Sequence, residues 1–322
     1  MCFNPKPALI SHPKFGCDAK HIYPNTKITR KLKFLSYFDI EKYKNRDNFL
    51  WIPCGKCLAC RISHANDWAT RCILESRQYK NNCFITLSYN PENLPKNGTL
   101  AKRDVQLFMK RLREAHPETK IRYFLCGEYG DKTLRAHYHI GMFNYKPKDL
   151  KFRKFNNCQQ PLYTTKEIAE IWGKGFIIIG DLTVESAGYI ARYTQKKIYN
   201  KHDEIIKTLG REKEFILTSR RPGIGLNIIN DKKEFKKIKE NFGIFIKQND
   251  TVKLKNIPRE IREKWKEIDA LEYYNKAEEN RQAMKKEWNR KLKETGMTDR
   301  EYTLKLNDLA YDRLRKLKRE TF

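Results

Sequence analysis

Residues 136–143 (AHYHIGMF) alternate in a way that only an extended chain can use. In a β-strand, side chains at i and i+2 point to one face, roughly 7 Å apart. His137 and His139 then share one face, and Tyr138, Ile140 and Met142 form an apolar stripe on the other. One side suits a core; the other carries two imidazoles, a common ligand pair for a divalent ion. The preceding run 121–127 (IRYFLCG) also reads as a strand, with glycines and Asp131 marking a turn between the two. Such a hairpin brings Glu128 opposite the histidines as a third, carboxylate ligand.

The neighbouring segments extend this hairpin into a sheet. Residues 83–89 (CFITLSY) are rich in strand formers and stop at Asn90-Pro91. Val105, Phe108, Met109 and Leu112 recur at i, i+3, i+4 and i+7, which predicts an amphipathic helix over 102–113. After 143 a polar loop leads to a short helix near 165–172, then a β-branched, glycine-bounded strand over 175–182. The order strand, helix, strand, strand, helix, strand is the ferredoxin-like, split βαβ pattern. It predicts an α+β fold, an antiparallel sheet with helices on one face.

A helix is also predicted over 184–198 (VESAGYIARYTQKKI). Val184, Ala187, Ala191, Thr194 and Ile198 form its core stripe, and Ile190 fits this wheel least well. Tyr189 and Tyr193, at i and i+4, stand together on another face. Arg192, Lys196 and Lys197 surround them. An unaided phenol is a poor nucleophile, with a pKa near 10. It suits a phosphodiester target when a metal ion polarises the phosphate and cations hold the strand.

The chain has 322 residues, with 67 Lys+Arg against 39 Asp+Glu and a formal net charge of +28. That surplus calls for a polyanionic partner, nucleic acid being the simplest. No run of about 20 apolar residues exists and the start lacks an apolar leader, so no membrane is expected and the chain reads as soluble and intracellular. Nine cysteines, mostly single and in apolar contexts, suit a reducing compartment. Cys54, Cys57 and Cys60, at i, i+3 and i+6, are the exception. Three thiolates at this spacing bind zinc readily, and the same order occurs in iron–sulfur proteins. Cys2, Cys17 and His64 are candidate fourth ligands. Three regions follow: 1–80, a basic N-terminal arm with this knuckle and a helix; 81–230, the sheet domain; and 231–322, a basic helical region in which Gly296 separates two helices.

The strand 84–89, the His137-Tyr-His139 pair and the Tyr189-x-x-x-Tyr193 helix stand in the order found in HUH endonucleases, which initiate rolling-circle replication. More narrowly, the chain resembles the replication initiators of gokushovirus-type Microviridae, small single-stranded DNA phages. That resemblance adds the knuckle 53–57 (PCGKC), the helix 106–113, the run 127–130 (GEYG) and the motif 219–225 (SRRPGIG). It covers roughly residues 50–230. It implies Mg²⁺ or Mn²⁺ held by His137, His139 and Glu128, alternating nucleophiles Tyr189 and Tyr193, and Lys196 as the family's lysine. Arg192, Lys197, Arg220 and Arg221, with Arg103, Lys110 and Arg135, are the candidate DNA contacts. The implied partners are phage DNA, as duplex origin and single strand, and host helicase and polymerase in the bacterial cytoplasm. The alternatives are a relaxase or transposase of the HUH class and a non-enzymatic, zinc-containing nucleic-acid-binding protein.

Overall fold

The computed structural model describes residues 5–10, 32–43, 49–55, 57–130, 133–156, 159–196, 206–248 and 250–317. In chain order come β1 (Lys6–Ile10), β2 (Leu32–Phe34), β3 (Phe49–Ile52), α1 (Leu58–Ser76), β4 (Asn82–Tyr89) and α2 (Lys102–Ala115). Next are β5 (Arg122–Tyr129), β6 (Ala136–Phe143), β7 (Lys151–Phe155), β8 (Pro161–Thr164), α3 (Lys166–Trp172), β9 (Gly175–Gly180) and α4 (Val184–Lys196). The chain continues with β10 (Phe215–Thr218), α5 (Lys232–Asn241), β11 (Ile244–Gln248), β12 (Thr251–Lys255), α6 (Arg259–Ile268), α7 (Ala270–Thr295) and α8 (Asp299–Leu317). Two compact units result. One takes the residues up to Ser63 with 238–242 and those from Arg259 onward; the other takes 64–237 and 243–258.

The second unit is built on a seven-stranded sheet in the order β10-β5-β6-β4-β9-β8-β7. Its centre, β5-β6-β4-β9, is antiparallel throughout and has the ferredoxin-like arrangement predicted from the element order. The reason is visible along β4, where Cys83, Ile85, Leu87 and Tyr89 are buried and the residues between them are half-buried. The buried set joins Leu125, Tyr138, Ile140, Met142, Ile177 and Ile179. Helix α2 caps this face with Val105, Phe108, Met109 and Leu112, the predicted stripe. Helix α3 adds Ile168 and Trp172; Thr165 caps its start by accepting from the Ile168 N–H at 2.9 Å. Each such side chain contributes about 1.5–3 kcal/mol by leaving water.

Four expectations need correction. Helices lie on both faces, not one, because the second face is apolar too. Trp68 of α1 sits 4.8 Å from Phe124, centroid to centroid, and Ile190 of α4 is fully buried. Ile190, the poorest fit to the predicted wheel, belongs to the buried stripe Ala187-Ile190-Ala191. The loop after β6 contains the β7–β8 hairpin, which extends the sheet beyond β9. Strand β9 ends at Gly180 rather than 182.

The stretches read as an irregular arm and as wholly helical also contain strands. Strands β1–β3 form an antiparallel sheet in the order β2-β1-β3, and β11–β12 form a separate hairpin. In the first unit, α6 buries Ile261 and Trp265, and the Trp265 ring lies 5.2 Å from Tyr273 of α7. Gly296, at φ 65°, ends α7 as anticipated. Among the described residues no helix is long and apolar enough to cross a membrane.

Candidate metal and tyrosine centre

The second face of the sheet carries the candidate site. Register places Glu128 directly opposite His137 across β5–β6, and Thr86 opposite His139 across β4–β6. One carboxylate oxygen, Glu128 Oε1, lies 2.7 Å from His137 Nε2 and 2.9 Å from His139 Nε2. The ligand atoms of the three residues lie within 4.8 Å of one another. Glu128 is 2% exposed and the His139 ring is nearly as buried; the His137 side chain is 19% exposed. Burial works to raise the Glu128 pKa. The hydrogen bonds from His137 and His139 outweigh it, so the carboxyl titrates below its ordinary range.

The far nitrogen of each ring is also held. His137 Nδ1 donates to the Arg135 carbonyl at 3.0 Å, and His139 Nδ1 is 2.9 Å from Thr86 Oγ1. A neutral imidazole that donates through Nδ1 presents a lone pair at Nε2. On His137 that lone pair faces a carboxylate, so a proton or a metal ion must sit between them. The donor set of two imidazole nitrogens and one carboxylate therefore fits a small divalent cation, with Thr86 and the Arg135 carbonyl orienting the rings.

Tyr189 comes to the same place from α4. Its ring centroid is 5.0 Å from His139, edge to face, and 6.3 Å from Phe84, which stacks on His139 at 5.6 Å. Gly141 sets this approach. A Cβ there would stand 3.3 Å from Ile190 Cδ1 and 3.4 Å from Leu182 Cδ1, so the bare backbone lets α4 lie close to the sheet. The phenols on the opposite face differ. Tyr89 and Tyr138 bond each other at 2.8 Å, and burial pushes the Tyr138 hydroxyl up to about 12. The side chains of Arg192, Tyr193 and Lys196, and Lys197 altogether, lie outside the described residues, although α4 runs through Lys196.

The motif 219–225 has a structural basis that the sequence did not disclose. Arg122 and Glu75 form a buried ion pair, with both side chains almost fully enclosed. Glu75 Oε2 also accepts from the Gly225 N–H at 2.6 Å, and Arg122 donates to the Pro222 carbonyl at 2.8 Å. Arg71 donates to the Ile224 carbonyl at 2.9 Å. Gly225 has φ 76°, and a Cβ there would meet the Arg71 carbonyl oxygen at 2.7 Å, so only glycine fits. This clamp fixes a turn from which Arg220 and Arg221 stand exposed, beside a groove that Arg113, His116 and Lys120 also line. Along β5 the groove at Tyr123 is about 17 Å from Glu128. The other expected contacts fall elsewhere. Arg103 and Lys110 are exposed on α2, the helix on the opposite face, and Arg135 donates to the Tyr89 carbonyl at 2.7 Å.

The sequence reading thus missed Thr86, Gly141, Glu75 and Arg122. Thr86 alone carried a signal, lying on the same face of β4 as its neighbours at i±2.

A ferredoxin-like sheet with a His-His-Glu cluster beneath a helical tyrosine defines an α+β protein with a candidate metal centre. A model of the family described as replication-associated protein ORF2 matches residues 82–198, which contain that cluster and Tyr189. The replication-associated protein ORF2 of Spiroplasma virus 4 is 32% identical over 272 residues, 79% of this chain and 83% of that protein. The replication-associated protein VP4 of Bdellovibrio phage phiMH2K is 33% identical over 197 residues, 59% of this chain and 58% of the relative. For the replication-associated protein ORF4 of Chlamydia phage 1 the figures are 31% over 180 residues, 53% and 45%. The matched region thus spans little more than half of the Bdellovibrio phage protein and less than half of the Chlamydia phage protein. No solved structure matches. The chain belongs to the phage replication-associated protein family.

Proposed function

We propose that the chain initiates rolling-circle replication of a small circular phage genome by nicking and rejoining one DNA strand. The observation that carries this reading is the convergence of Glu128, His137 and His139 beside the Tyr189 ring. Family membership and the net charge of +28 support it. His137, His139 and Glu128 hold Mg²⁺ or Mn²⁺, and the bound ion polarises the phosphate oxygens of the scissile bond.

Tyr189 attacks phosphorus through its phenolic oxygen. The bond from phosphorus to the 3′ oxygen breaks, a 5′-phosphotyrosine forms, and the 3′ oxygen leaves as a hydroxyl that primes the host polymerase. The proton lost by the phenol balances the one gained by the 3′ oxygen. One ester is exchanged for another, so rejoining needs no nucleotide triphosphate. Tyr193, one helical turn on, serves as the second nucleophile when the origin is regenerated. Arg220 and Arg221 hold backbone phosphates at the groove.

The test uses supercoiled replicative-form DNA carrying the cognate origin, with Mg²⁺, Mn²⁺ or chelator. The expected product is a nicked circle bearing a denaturation-resistant protein adduct, formed only with metal and absent from the Tyr189→Phe, Tyr193→Phe double variant. Tight binding with no adduct under any metal would sink the proposal.

A further inference from the structure

A second cluster of metal-ligating side chains stands apart from the nuclease centre. The sulfur atoms of Cys54, Cys57 and Cys60 lie within 4.8 Å of one another, and all three residues are half-buried. The chain folds so for local reasons. Cys57 immediately precedes α1 and its carbonyl accepts from the Arg61 N–H at 3.0 Å, so Cys57 and Cys60 are neighbours one helical turn apart. Gly55, at φ 72°, turns the chain so that Cys54 folds back onto them. The Cys57 backbone N–H donates to Cys54 Sγ at 3.2 Å, a bond that favours a negatively charged sulfur.

The remaining described cysteines form a contrast. Cys72, Cys83 and Cys126 are buried, and burial pushes the Cys72 and Cys83 thiols far up, as befits small apolar fillers of the interior.

We propose that Cys54, Cys57 and Cys60 are three ligands of a zinc ion. Soft thiolates select Zn²⁺ or iron–sulfur clusters, whereas the imidazole–carboxylate set on the sheet suits Mg²⁺ or Mn²⁺, so one chain sorts two metals by ligand type. Size separates the two soft alternatives. A Zn–S bond of about 2.3 Å places tetrahedral sulfurs about 3.8 Å apart. In a four-iron cluster each cysteine binds a different iron, which forces the sulfurs around a body larger than one ion. Sulfurs gathered within 4.8 Å fit a single ion. Binding displaces the thiol protons, and a fourth ligand closes the site as a structural one.

The experiment is elemental analysis of the full-length chain, purified from zinc-supplemented cells and dialysed against metal-free buffer. One zinc per chain is expected. It should persist in His137→Ala, His139→Ala protein, which separates this site from the nuclease centre and from the fate of the nicking proposal. It should fall at least tenfold in Cys57→Ser, Cys60→Ser protein and return in Cys57→His protein, whose imidazole can replace a thiolate. Should the serine variant fail to fold, Co²⁺ added to the reduced, metal-stripped wild type decides, through strong sulfur-to-cobalt charge-transfer absorption. The proposal is overturned by folded wild-type protein without zinc, by zinc lost with the histidines, by iron and acid-labile sulfide in place of zinc, or by a Co²⁺ spectrum without thiolate bands.

Discussion

The two faces of the seven-stranded sheet are made from alternate residues of the same strands and serve opposite ends. On one face Ile85, Leu87, Tyr138 and Ile140 are sealed under α2 and α3, and even the polar atoms are answered internally. The Tyr138 hydroxyl meets Tyr89, the Ala101 N–H and the Ala101 carbonyl at 2.8–3.0 Å. On the other face, charge is concentrated. Glu128 with two histidines occupies one end and Glu75 with Arg122 the other, with Phe124 and Trp68 in between. A buried carboxylate is tolerable only when it is paired and hydrogen-bonded, and both ends meet that condition. The second face therefore uses its apolar area to hold charges in place, whereas the first uses it for cohesion.

Substitutions one residue apart can break this contrast. His139→Ala should slow origin cleavage at least ~1,000-fold, about 4 kcal/mol in the barrier, while thermal unfolding stays nearly unchanged. A melting temperature lowered like that of a core variant would make the histidine face structural instead. Glu75→Ala leaves Arg122 buried without its carboxylate and should cost about 3 kcal/mol in urea unfolding. A loss below about 1 kcal/mol would show that the ionic end is not a clamp. Tyr138→Phe, between the two histidines but facing the core, should cost about 1–2 kcal/mol of stability and leave cleavage unaltered. Reduced cleavage by folded protein would couple the faces. The smallest effect is expected from Gly141→Ala, whose methyl group displaces α4 by a few tenths of an ångström. Adduct formation should fall about threefold, under about 1 kcal/mol, with metal binding intact. An unchanged rate would show that Gly141 does not set the tyrosine's reach.

Much of this arrangement was legible because periodicity reports burial. Val105, Phe108, Met109 and Leu112 could only line a helix, and the alternation through 136–143 could only serve a two-faced strand. That alternation also placed His137 and His139 on the face away from the core, and the turn at 130–135 made Glu128 their partner. What escaped depends on pairing across long separations. Strand β10 has four half-buried residues with no alternation, and it joins the sheet only because Ile216 pairs with Cys126. Strand β7, exposed along its length, gives no period at all. Ile190 was misplaced on the helical wheel because the side facing the sheet is decided by the space above Gly141, which no window of α4 contains. Thr86 and Glu75 act on partners 53 and 150 residues away.

That last separation has a consequence in time. Glu75 waits for Gly225 through 150 residues of synthesis, roughly 8–30 s at bacterial ribosome speeds of about 5–20 residues per second. Strands β4 to β9 emerge within that interval, so the sheet can assemble before the turn at 222–225 exists. The two exposed arginines take up their fixed position last, which leaves the chain's grip on phosphate incomplete until the platform beneath it has formed.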